Sequence, residues 1–132
     1  LMYIRLFHKT NSRSQRILWL LEELQLDYEV VFCDANIPTQ ELAPLQSNHP
    51  PIKFPTVQIF HDDLTEVITL SETAAIADYL SHQLNALGIS LLSGQEAHLY
   101  FYWKNFAEAT FMPDLALKQI FAQIVARTPL SP

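Results

Sequence analysis

The strongest constraint lies in the first 32 residues, where two short apolar runs flank one amphipathic helix. Met2–Phe7 is rich in aromatic and branched residues and reads as a strand. Ile17, Leu20, Leu21 and Leu24 then recur at helical spacing, with Glu22 and Glu23 on the wet side. Ser12 and Gln15 have the spacing of a capping box, so the helix is expected to begin near Ser12. Tyr28–Phe32 reads as the second strand. A strand–helix–strand unit of this kind is expected to close with parallel strands and a right-handed crossover.

The remainder extends that unit. Asp34–Pro51 is irregular, with one short helix expected around Gln40–Leu42 between prolines. Thr56–Phe60 and Glu66–Leu70 are two strands separated by His61-Asp62-Asp63, a hairpin spacing with no glycine to ease the turn. Glu72–Leu84 is a second helix, with Ile76, Leu80 and Leu84 on one face. The order β-α-β, loop with a short helix, β-β-α is that of an α/β thioredoxin-like domain: a mixed sheet with helices on both faces. Asn85–Gly94 holds both glycines and reads as a linker. Gln95–Arg127 is helical again and aromatic at first, and Pro113 is expected to kink or restart it. The domain reading is therefore 1–84, a linker over 85–94, and a further helical segment over 95–132.

Composition narrows the function. With 49% hydrophobic and 17% charged residues among 132, the chain is an ordinary folded protein. Its net charge of -6 argues against a nucleic-acid partner, although Arg13, Arg16 and Lys53 leave room for a small anion. The single cysteine, Cys33, makes neither an internal disulfide nor a metal cage, and a reducing, cytoplasmic setting is expected. No signal peptide is expected, because Arg5, His8 and Lys9 interrupt the opening apolar stretch. No apolar run is long enough to span a bilayer.

Three short segments could carry chemistry. Asn11-Ser12-Arg13-Ser14 stands at the first strand-to-helix junction, where unpaired N–H groups and the helix dipole attract anions. A hydroxyl there could donate to a thiolate, and Ser12 also fits an ordinary helix cap. Lys53-Phe54-Pro55-Thr56 opens a strand with a proline that cannot join the ladder. Ser71-Glu72-Thr73 ends a strand and begins a helix. Glu72 there could pair with an ammonium and Thr73 with a carboxylate, and helix capping is the competing role. No Cys-x-x-Cys stands at the first junction, so a thioredoxin-type thiol is missing, and Cys33 reads as a small buried hydrophobe.

Four stretches in register resemble the cytosolic glutathione transferase superfamily. Ser12 through Leu24 (SRSQRILWLLEEL) is similar to the first helix of a serine-type bacterial and fungal branch. His49-Pro50-Pro51-Ile52-Lys53-Phe54-Pro55 is similar to that branch's approach to the third strand. Glu72 through Leu80 (ETAAIADYL) resembles the superfamily's γ-glutamyl-binding turn and helix. Tyr102-Trp103 with Phe106-Ala107-Glu108 resembles the first helix of its second domain. Four departures stand out. Ile52 replaces the branch's usual glycine, His61-Asp62-Asp63 lacks the usual turn glycine, Thr73 replaces the commoner serine, and the later helices that complete the electrophile pocket lie outside this sequence.

The resemblance implies a fold, a ligand and a set of roles. Ser12 would donate to the glutathione sulfur, with Asn11 and Ser14 as alternative donors. Phe54, before a cis Pro55, would bind the cysteinyl backbone. Glu72 and Thr73 would hold the γ-glutamyl end, and Lys53 would approach the glycine carboxylate. The implied reaction adds the glutathione thiolate to a small electrophile, with glutathione as co-substrate, no metal, and a homodimer as the assembly. A non-catalytic binding module on the same fold, a glutathione-dependent peroxidase or reductase, and an isomerase using glutathione are the alternatives.

Overall fold

The computed structural model describes residues 1–34, 43, 45–46, 53–85 and 87–128. The chain divides into two compact units, Leu1–Ile89 and Ser90–Pro132. The short helix expected around Gln40–Leu42 lies outside the described residues.

In the first unit, β1 (Met2–His8), α1 (Ser14–Glu23), β2 (Asp27–Phe32), β3 (Thr56–His61), β4 (Ile68–Ser71) and α2 (Thr73–Leu84) follow in order. The sheet runs β2-β1-β3-β4, with β1 parallel to β2 and antiparallel to β3, and β3 antiparallel to β4. Strand alternation explains the layers. Ile4 and Leu6 stand opposite Ile59 and Val57 across the β1–β3 ladder. All four are buried with Ile17, Leu21 and Leu24 of the α1 segment and Ile76 and Leu80 of α2. Both of these helices therefore cover one face and touch each other. The opposite face carries a second cluster of Phe7, Cys33 and Leu45, against which Val31 and Phe54 pack. Cys33 is buried there, and its thiol donates to the Val31 carbonyl.

The start of α1 corrects the capping-box expectation. The helix begins at Ser14, and the residue before it, Arg13, makes no side-chain cap bond. The Ser12 hydroxyl instead accepts from the Ser14 amide at 3.2 Å, a local serine turn. A capping box needs only sequence spacing, whereas the observed turn also depends on β1 residues that reach Ser14.

The end of α1 is a left-handed stop without glycine. Gln25 has φ 52°. Its amide bonds the Glu22 carbonyl while the Leu26 amide bonds that of Leu21, the two bonds of a Schellman motif. The β3–β4 turn likewise manages without glycine: the His61 ring accepts from the Asp63 amide and the His61 carbonyl from the Leu64 amide. That wider turn moves the start of β4 from the expected Glu66 to Ile68.

A 3₁₀ turn (Ile89–Leu91) begins at the last residue of the first unit, and the second unit continues with α3 (Gly94–Phe106), a π-helical turn (Ala107–Phe111) and α4 (Met112–Arg127). Pro113 restarts the helix. It sits in the first turn of α4, where a missing N–H costs least, and the preceding wide turn is closed by the Met112 amide on the Ala107 carbonyl. Phe101, Trp103, Phe121 and Val125 are exposed on this unit. No helix among the described residues is long and apolar enough to cross a membrane.

One polar contact stiffens the second face of the sheet. Arg5 donates to Glu29, its register partner on β2, and lies 5.7 Å from the Phe60 ring centre. The Arg5 hydrogen bond, helped by Tyr3, holds the Glu29 carboxyl below its usual 4.5. A depressed carboxylate stabilises the fold above its unfolded pKa, and that contribution is lost as pH falls through the folded value. Both side chains are about 40% exposed (40% and 41%), so the pair is worth no more than about 1 kcal/mol. Glu29→Gln is expected to lower urea stability by about that amount at pH 7 and to flatten its decline below pH 4.5, as read by unfolding midpoints across pH.

Candidate functional site

One row of the sheet sets the floor of the site. Val31, Phe7, Thr56 and Ser71 are register partners across all four strands. The chain leaves this row into the β1–α1 loop, arrives at it from Lys53-Phe54-Pro55, and leaves it again into α2. The segments singled out in the sequence therefore meet at one edge of the sheet.

Thr56 ties two of them together. The residue is 1% exposed, and its hydroxyl donates to the Lys53 carbonyl at 2.6 Å and pairs with the Ser71 hydroxyl at 2.6 Å. The Phe54–Pro55 peptide is cis, and the β1–β3 ladder starts only at Thr56, so Phe54 stands outside the sheet pairing.

Glu72 is the backbone outlier of the site. It precedes α2 with φ 73° and ψ 119°, a conformation that costs a non-glycine residue about 1–3 kcal/mol. It makes no side-chain cap bond to α2. Its carboxylate instead meets the Lys53 ammonium at 2.6 Å. The capping role considered for Glu72 is thus replaced by an ion pair across the cleft. Thr73, the first residue of α2, is buried, and the first amides of that helix supply the positive end of its dipole.

A cleft of about 310 Å³ lies between these segments, lined by Arg13, Lys53, Phe54, Pro55, Glu72 and Thr73. Five of these lining residues are ones singled out from the sequence. The sixth, Arg13, belongs to the first-junction segment and has no site role implied for it from the sequence; its position in the turn before α1 brings it to the cleft. Two cations, one carboxylate, a helix N-terminus and an apolar wall suit a small molecule carrying several charges of both signs.

The candidate hydroxyls divide sharply. Ser12 is half-buried in the loop beside Arg13, whereas Ser14 is fully buried at 0% exposure and Asn11 is exposed with φ 55°. Ser14 Oγ lies 2.5 Å from Ser12 Oγ, 2.8 Å from His8 Nδ1 and 3.2 Å from the Lys9 carbonyl, and it accepts from the Lys9 amide at 3.3 Å. Burial takes Ser14 out of reach of a ligand. His8 ends β1, one residue beyond the strand expected from the sequence, and nothing in the spacing announces its contact with Ser14.

Stability separates the scaffold from the lining. Thr56→Val leaves the buried Ser71 hydroxyl and the Lys53 carbonyl short of a partner and is expected to cost about 1–3 kcal/mol. Lys53→Met breaks an exposed pair, 59% and 62% accessible, and is expected to cost under about 1 kcal/mol. Urea unfolding of the two variants checks both values.

Known proteins share the sequence pattern and the fold of this chain. Residues 2–82 match the family described as the glutathione S-transferase N-terminal domain. The chain is 34% identical over 136 residues to glutathione S-transferase 3 of Schizosaccharomyces pombe, covering 96% of this chain and 50% of that protein. It is similar in structure to a glutathione S-transferase of Actinobacillus pleuropneumoniae, with TM-score 0.60 and 26% identity, covering 99% of this chain and 56% of that one. A glutathione transferase homolog of Lodderomyces elongisporus, solved with two GSH per subunit, matches 64% of this chain and 39% of its own, with TM-score 0.50 and 26% identity. The chain thus spans about half the length of the curated relative it matches. By its sequence, its sheet order and these likenesses, the chain belongs to the glutathione S-transferase family, and residues 2–82 are the family's N-terminal domain.

Proposed function

We propose that this chain binds glutathione in the cleft between Arg13, Lys53, Phe54, Pro55, Glu72 and Thr73, and that within a glutathione transferase it activates the thiol for addition to a small electrophile. The observation that carries this reading is the pairing of opposite charges across that cleft, Lys53 against Glu72 at 2.6 Å with Arg13 and the α2 N-terminus beside them. Glutathione carries one ammonium and two carboxylates. Glu72 takes the γ-glutamyl ammonium, Thr73 and the first amides of α2 the neighbouring carboxylate, and Lys53 the glycine carboxylate. One ion pair is then exchanged for several. Phe54, outside the sheet ladder, offers its backbone to the cysteinyl unit. The binding of GSH by the Lodderomyces homolog supports the choice of ligand.

Ser12 is the donor to sulfur in this reading. Asn11 is too exposed for a desolvated contact, and Ser14 is buried beneath Ser12. A free thiol with a pKa of about 8.5 is only about 3% thiolate at pH 7. Lowering it by about two units needs about 2.7 kcal/mol of preference for the thiolate. One hydrogen bond to a charged acceptor supplies about 1.5–3 kcal/mol. The nearby N-terminus of α1 adds about 0.3–1 kcal/mol. The sum suffices without a general base or metal. The thiol proton leaves to solvent, the sulfur–carbon bond forms, and the electrophile releases its leaving group or takes up a proton. Residues 1–84 serve as the glutathione-binding domain, 85–94 as the linker and 95–132 as the start of the helical domain, in a cytoplasmic homodimer.

Calorimetric titration of glutathione into the chain, with thiolate absorbance read alongside, tests the proposal. Wild type is expected to bind. Ser12→Ala is expected to keep affinity within about threefold at acidic pH while thiolate absorbance at neutral pH falls about tenfold or more. Glu72→Gln is expected to weaken binding about tenfold or more through its lost charged contact. A folded chain that takes up no glutathione would contradict the reading.

A further inference from the structure

Resting on the reading of Ser12 as the sulfur donor, we infer that His8 is a positioning residue whose Nδ1 proton decides whether the Ser12 hydroxyl donates outward to the thiolate or inward to Ser14.

A serine hydroxyl has one proton and two lone pairs. Ser14 Oγ lies within hydrogen-bond reach of Ser12 Oγ, His8 Nδ1, the Lys9 amide and the Lys9 carbonyl, at 2.5, 2.8, 3.3 and 3.2 Å. It is fully buried, so water does not compete for these contacts. The Lys9 amide can only donate and takes one lone pair of Ser14.

Suppose first that His8 carries a proton on Nδ1. It donates to Ser14 and fills the second lone pair. The Ser14 proton then turns to its shortest partner, Ser12 Oγ. Ser12 now accepts twice, from the Ser14 hydroxyl and from the Ser14 amide at 3.2 Å. Both of its lone pairs are used, and its own proton must point away, toward a ligand sulfur.

Suppose instead that Nδ1 is bare. Ser14 donates to His8, and the 2.5 Å gap between the two hydroxyls is bridged only if Ser12 donates inward. Ser12 then presents a lone pair to the ligand, which repels a thiolate. The two arrangements keep the same heavy-atom contacts and differ only in the direction of the chain His8–Ser14–Ser12.

Two neighbours flank the His8 ring. Phe32 of β2 sets its ring edge-on at 5.5 Å. The Asp34 carboxylate beyond β2 is held by the Thr10 hydroxyl and amide, at 2.7 and 2.8 Å, and lies close enough to interact with the charges of His8 and Lys9. The neutral Nδ1–H tautomer and the imidazolium both give the outward donor.

Two measurements on the full chain test the inference. The first is the pH titration of thiolate absorbance for bound glutathione in wild type, His8→Leu and His8→Asn. His8→Leu is expected to raise the bound thiol pKa by about one unit or more. His8→Asn keeps an N–H donor at similar reach and is expected to restore most of the wild-type value. A packing role alone would move stability or affinity without distinguishing asparagine from leucine in the thiol titration. The second is nitrogen NMR of the His8 ring in the wild-type complex, which is independent of whether a variant folds, and Nδ1–H is the expected state. A bare Nδ1 beside a bound thiolate, or a thiol pKa unchanged in His8→Leu, would overturn the role of His8 while leaving glutathione binding intact. No calorimetric binding in folded wild type would remove the glutathione reading itself, and this inference with it.

Discussion

The row Val31–Phe7–Thr56–Ser71 is the constraint on which the rest of the structure depends. Below it, paired branched residues make the core, and the two helices that cover them fix where α1 and α2 begin. Above it, the loops from β1, into β3 and out of β4 converge. Thr56 belongs to both parts, since its backbone begins the β3 ladder and its hydroxyl holds the Lys53 carbonyl and Ser71. The cleft is therefore positioned by the same register that packs the core, and a slip of one residue would reverse every side chain in both.

Much of this was legible in the sequence because it depends on periodicity. The apolar spacing of Ile17, Leu21 and Leu24, and of Ile76 and Leu80, gave the right faces for α1 and α2, and all five are buried in one cluster. The strand runs likewise fell where β1, β2 and β3 lie, and Pro113 marked the restart at α4. The segments holding Lys53, Phe54, Pro55, Glu72 and Thr73 come together at one cleft. Local composition offered these segments with helix capping and a plain strand start as competing roles, and the resemblance to the transferase superfamily chose among them.

What the sequence did not show depends on contacts between distant residues. Ser12 and Gln15 match a capping box, yet Ser14 is drawn to His8 and Lys9, and the helix begins two residues later than expected. Glu72 occupies a left-handed backbone region without being glycine or asparagine, so no residue type announces it. Gln25 ends α1 in the same concealed way. Arg13 reaches the cleft only because the turn before α1 places it there.

The central claim is that glutathione sits in the cleft at the end of this sheet row. Backbone amide NMR of the chain, titrated with glutathione, tests it most directly. The account predicts shifts that saturate together at Ser12, Arg13, Phe54, Glu72 and Thr73, with little change along α4. Saturating shifts confined to α3 and α4, or none in a folded chain, would contradict it.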